Sequence, residues 1–179
     1  MLAAINGESP AYNVLKTLHV LVVIVGFGVP MLSAIPFMAA TKRGGREGLA
    51  IYDATTKMAQ SARYASYAVF VFGIATLLAS PEIGTGKGAE KLYSFKQAWV
   101  GASILLYFVA IGIDAVLLKK GSAELRSLMD EAAGAAPEKP APAKVAEMDA
   151  IGKRLAMFGG IANLLVIVTL GLMVFKPGA

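Results

Sequence analysis

The chain contains no cysteine, a single histidine and a single tryptophan among its 179 residues. Without cysteine, neither disulfides nor thiolate metal sites can form, and the redox compartment leaves no mark on the sequence. Charge is also scarce: 16% of residues are charged and 56% hydrophobic, with a mean hydropathy of +0.63. A soluble domain carries about a quarter charged residues. The net charge of +5 suggests nucleic acid as a partner, but the basic residues bracket apolar runs and form no dense patch interleaved with aromatics. Nucleic-acid binding is therefore excluded. No carboxylate cluster, phosphate loop or nucleophile constellation is visible either, so no catalytic residue is assigned and a non-enzyme is expected.

The chain does have four apolar blocks, at about 14–40, 62–80, 95–118 and 155–175. Each approaches or exceeds the ~20 residues with which a helix crosses a ~30 Å hydrocarbon layer. Stretches such as "YAVFVFGIATLLA" and "ANLLVIVTLGLMVF" are apolar all round, whereas a soluble bundle helix keeps a polar face. The expectation is an all-α polytopic membrane protein: one transmembrane domain over residues 1–179, built as a four-helix bundle in a lipid bilayer. "MLAAINGESPAY" lacks a basic start, and the run after it is too long for a signal-peptide core. The first block is thus expected to stay as a span.

Lysine and arginine set the expected orientation. The loop after the first block holds Lys42, Arg43, Arg46, Lys57 and Arg63. The loop before the last holds Lys119, Lys120, Arg126, Lys139, Lys144, Lys153 and Arg154. Only Lys16, Lys87, Lys91, Lys96 and Lys176 fall on the other side. The positive-inside rule then places both termini outside, and the alanine-rich composition suits a bacterial cytoplasmic membrane. Of the connections, residues 41–66 suggest a short interfacial helix, and the glycine-rich "SPEIGTGKGAEKLYSFK" a simple outer link. Residues 120–144 read as a short cytoplasmic helix, "SAELRSLMDEAA", followed by the alanine–proline linker "GAAPEKPAPAK".

The lone histidine lies in "LKTLHVLVVIVGFGVP", residues 15–30. On a helix, Gly26 and Pro30 fall within about 20° of His19, and Val23 and Ser33 within about 40°. A stripe with glycine and serine lets helices approach closely, so His19 is expected to point into the bundle. Three readings stay open: a neutral imidazole hydrogen-bonded to another helix or a freed carbonyl, an axial ligand to haem b or a metal, and a proton or ion relay. Bis-histidine haem ligation within one chain is excluded, which leaves Met173 on the fourth span as a weak second ligand. Gly26, Gly28, Pro30 and Pro36 predict a first helix kinked near residues 26–30 and again at Pro36.

Two further polar sites fall within spans. Asp114 shares a stripe with Ser103 and Tyr107, read as a proton path or as a carboxylate paired with the basic end at Lys119 and Lys120. It should not meet His19, which lies in the opposite leaflet. Asn163 shares a face with Ala156, Gly159 and Gly160, expected to be an interhelical packing seam.

The stretch "LKTLHVLVVIVGFG", with histidine one turn after lysine, resembles the opening of the DUF2269 family of predicted integral membrane proteins. The layout is also similar to the copper-resistance D and HemJ-type membrane families. That resemblance implies metal or haem chemistry at the first-helix histidine, and only His19 carries over. The residues themselves favour a non-enzymatic accessory subunit packing against a larger membrane complex or its own copies. A haem b or electron-transfer protein using His19 is the alternative, and a small ion or proton transporter a third.

Overall fold

The computed structural model describes residues 9–43, 45–83, 90–134 and 142–177. The expected reading of residues 1–8, the glycine-rich tip at 84–89 and most of the alanine–proline linker lie outside them. Four rods run up and down. Helix α1 (Pro10–Leu32) continues through Ser33 into α2 (Ala34–Arg43), and α3 (Gly45–Leu78) returns. A short ladder of β1 (Glu82–Ile83) and β2 (Glu90–Lys91) leads to α4 (Ala98–Ile113). A π-helical turn (Asp114–Leu118) joins α4 to α5 (Lys119–Gly134), and α6 (Pro142–Phe175) closes the bundle. All four rods are long and apolar enough to cross a membrane.

The rods are longer than the apolar blocks. Pro10–Arg43 and Gly45–Leu78 hold 34 residues each, or about 51 Å at 1.5 Å per residue, against a ~30 Å hydrocarbon layer. The surplus lies at the basic end. Of residues 41–66, expected as a short interfacial helix leading into the second span, 45–66 belong to α3 itself, and the expected short helix after the third span is the continuation of α4 as α5.

Local rules explain the ends. Ser9 caps α1, its Oγ accepting from the Tyr12 N–H at 3.2 Å, with Pro10 in the first turn, where its missing N–H costs nothing. The α1–α2 rod is bent by 26°. This is the kink expected of the first helix, and the helical pattern is interrupted at Ser33, between Pro30 and Pro36. Pro30 and Pro36 each remove a backbone donor. Between them Ser33 donates from both N–H and Oγ to the Val29 carbonyl at 3.0 and 2.8 Å, a side-chain back-bond of the kind that bends helices. At the far end of α3 the connection is more than a simple link: Lys91 Nζ donates to the Leu78 carbonyl at 2.7 Å, a cation satisfying a helix C-terminus.

The basic end has a core of soluble-protein type. Ala40, Tyr52, Leu125, Met129, Ile151 and Leu155 are buried together. Tyr52 is fully enclosed against Phe37 at 5.4 Å and donates its hydroxyl to the Ser122 carbonyl at 2.6 Å. Tyr52→Phe leaves that carbonyl without this donor, and about 1–2 kcal/mol of stability should be lost, readable as a lower unfolding midpoint in mild detergent. An unchanged midpoint means the bond contributes nothing. Around this core Arg126 grips Asp53 at 2.8 and 3.0 Å. Its guanidinium holds the Asp53 carboxyl below the usual carboxylate range. The pair therefore favours the fold at neutral pH and stops doing so as pH falls through that lowered value.

Candidate functional site

The opposite, hairpin end is built differently. There α1 pairs closely with α3, and α4 with α6. A Cβ added to Gly26 on α1 would lie 2.6 Å from the Ser66 nitrogen and 2.7 Å from its Cα. The α1 and α3 backbones touch at this point, which only glycine permits. Gly28, by contrast, faces open space.

Two turns along α1 from Gly26 stands His19. Its ring lies over Gly73, where an added Cβ would come within 3.0 Å of Cε1. Nδ1 is 3.0 Å from the Val69 carbonyl. A carbonyl only accepts, so Nδ1 carries the proton and donates. In the neutral ring with that tautomer, Nε2 keeps its lone pair. The shared stripe thus turns His19 and Gly26 onto the same partner helix.

Beside this ring lies an apolar cavity of about 260 Å³. A cavity of roughly 150 Å³ suffices for a benzene-sized guest. His19, Val23 and Phe27 contribute to the wall from α1, Phe70 and Gly73 from α3, Trp99, Ser103 and Tyr107 from α4, and Met173 from α6. Lys16 and Lys176 lie toward the hairpin end. Aromatic contacts frame the inner end: Tyr107 meets Phe70 at 5.7 Å and Phe27 at 6.4 Å, and donates its hydroxyl to the Ser66 carbonyl at 3.0 Å.

The cavity brings His19, Met173, Ser103 and Tyr107 together and leaves the other intramembrane polar residues elsewhere. Asp114 does not line it. Its partner is Arg63, which donates from Nε at 2.7 Å and from Nη2 at 3.3 Å. Lys119 and Lys120, the neighbours in sequence, are not the pair. The reason is side-chain reach between α3 and α4: the Tyr107 hydroxyl and the Phe70 ring bridge the two helices, and Arg63, one turn from Ser66, reaches Asp114 with a two-pronged fork. Asn163 is half-buried, and Gly159 and Gly160 meet nothing within 4 Å, so the expected seam on α6 is open within this chain.

Trp99, Tyr93 and Lys176 did not stand out in the sequence. One signal was there: Trp99, Ser103 and Tyr107 recur every four residues and so share a face of α4. Lys176 follows the last turn of α6 with φ of 44°. Its N–H closes that turn onto the Leu172 carbonyl at 2.9 Å. This left-handed position, usually held by glycine, folds the side chain back. Nζ donates to the Tyr93 hydroxyl and stands 4.2 Å from that ring's centre.

Comparison with curated proteins and with solved structures returned no match. A family profile does match, over residues 13–177, a range that takes in all four rods but for the first three residues of α1 and every residue of the cavity wall but Tyr12. This chain belongs to the DUF2269 family of predicted integral membrane proteins.

Proposed function

We propose that this chain is a membrane-embedded binding protein whose cavity holds haem b, with His19 Nε2 as axial ligand. The observation that carries the reading is the His19–Val69 hydrogen bond. It fixes the tautomer that leaves Nε2 available, as the second hydrogen bond of a ligating histidine does. The Met173 thioether lines the same cavity and is the sixth ligand in this reading. When bound, such a group supplies one-electron chemistry. The protein's part is to orient the imidazole, enclose the group in apolar side chains and keep water from it. By the positive-inside rule the hairpin end and both termini face outward from a bacterial cytoplasmic membrane.

The test is a visible spectrum of protein purified in mild detergent from haem-replete cells. A Soret band is expected, lost in His19→Ala and shifted but retained in Met173→Leu. A colourless protein that also fails to take up added haemin refutes the reading. One observation favours a second reading, an accessory subunit or homo-oligomer: Ala156, Gly159 and Gly160 leave a small-residue face of α6 open, suited to another helix. Co-purification of a protein companion in place of pigment is the result that favours it.

A further inference from the structure

Two polar atoms in the described structure are buried without a partner, Trp99 Nε1 and Ser103 Oγ, and both residues line the cavity. Ser103 is only 4% exposed. Its isolation stands out against the rest of the molecule. Thr17, Ser33, Thr55, Ser61, Thr76 and Thr169 all donate their hydroxyls to the carbonyl four residues back, the usual outlet for such a group inside a helix. Ser103 does not. Trp99 and Ser103 lie one turn apart, about 6 Å along the axis, on the same face of α4. Each leaves a buried donor without an acceptor, an arrangement that native proteins avoid.

The character of the missing acceptor follows from its surroundings. An indole N–H and a lysine ammonium can only donate. Trp99 lies in the first turns of α4, at the end of the cavity where Lys16 and Lys176 contribute. The deeper wall is Phe27, Phe70 and Tyr107. We propose that the occupant carries a carboxylate head, held at the hairpin end by Lys16, Lys176, Trp99 Nε1–H and Ser103 Oγ–H, with its apolar body inward. The left-handed turn at Lys176 is the device that aims its ammonium back at this mouth. Strain of this kind persists where the surroundings hold it in place and use it. The cavity of about 260 Å³ is open along one side rather than sealed, so an occupant larger than this volume can extend past its mouth. This rests on the cavity being a binding site but not on the occupant being haem, because the carboxylates of haem and of a fatty acid present the same chemistry.

The single tryptophan reports occupancy directly. Protein in neutral phosphatidylcholine nanodiscs is titrated with haemin, haemin dimethyl ester, myristate and methyl myristate, following Trp99 fluorescence. Each acid that binds should bind about tenfold or more tightly than its ester, the scale of charge-assisted hydrogen bonds. In Lys16→Gln/Lys176→Gln the acid and ester should bind alike. Ser103→Ala, which changes no charge, should weaken the acid alone. Haemin binding no better than its ester overturns the head-group assignment and leaves the haem reading standing. Myristate preferred over its ester, with no haemin bound, does the reverse. If no acid is preferred, or if dodecyl phosphate outbinds myristate tenfold, the carboxylate assignment is wrong.

Discussion

Gly26→Ala should lower the stability of the bundle by about 1–3 kcal/mol, and Gly26→Leu should prevent α1 and α3 from pairing at all. The basis is distance. The added methyl would stand 2.6 Å from the Ser66 nitrogen and 3.0 Å from the Ala65 carbonyl carbon. These are backbone atoms of a continuous helix and have no rotamer with which to yield. The helices must separate, and the separation reaches His19, whose bond to Val69 spans the same interface two turns away. Gly28→Ala is the matched control, because its methyl meets nothing within 4 Å and gains helix propensity. Unfolding midpoints in detergent for the two alanine variants decide the matter. Equal midpoints would mean that the helices do not cross at Gly26.

The second large effect concerns the ion pair between Arg63 and Asp114. Removing one member of a fully buried pair costs about 3–5 kcal/mol, because a charge is left without compensation. Here the side chains are 25% and 31% exposed, so about 2 kcal/mol is expected for Arg63→Leu or Asp114→Leu. The double variant Arg63→Leu/Asp114→Leu should recover most of the loss. A thermal-unfolding cycle over the four proteins gives the coupling directly. If each single variant costs nothing, or the losses simply add, the two groups do not depend on each other. The same cycle tests whether the side chains of α3 and the Asp114 turn reach each other across the bundle.

These two cases show how far the sequence reaches. The stripe joining His19 to Gly26 is a property of one helix, and periodicity alone turned both residues inward. The four spans were legible for a similar reason, since lipid removes the need for a polar face and the runs are apolar all round. Their lengths were not legible in that way. Hydropathy detects only the portion in oil, whereas α3 continues into water around Tyr52 and α5 around Leu125, where a mixed polar and apolar surface keeps the helix going. The bend of the first rod was legible too, because Pro30 and Pro36 each remove a backbone donor from it. Arg63 was counted as one loop charge among several. Its pairing with Asp114 spans 51 positions, and no spacing rule encodes a contact between long side chains of two different rods. Trp99 was hidden differently. A tryptophan near a helix end is ordinary at a membrane surface, and only coordinates show its N–H turned inward without an acceptor.

The wide turn at Asp114–Leu118 has a consequence for the whole third rod. One residue inserted into an α-helix advances everything beyond it by about 100°. Above the insertion Trp99, Ser103 and Tyr107 must look toward the cavity. Below it, Gly121, Leu125 and Met129 must all look the same way, toward Tyr52 and Leu155. The extra residue thus serves as a phase adjuster, letting one uninterrupted rod meet two different solvents with the correct side toward each.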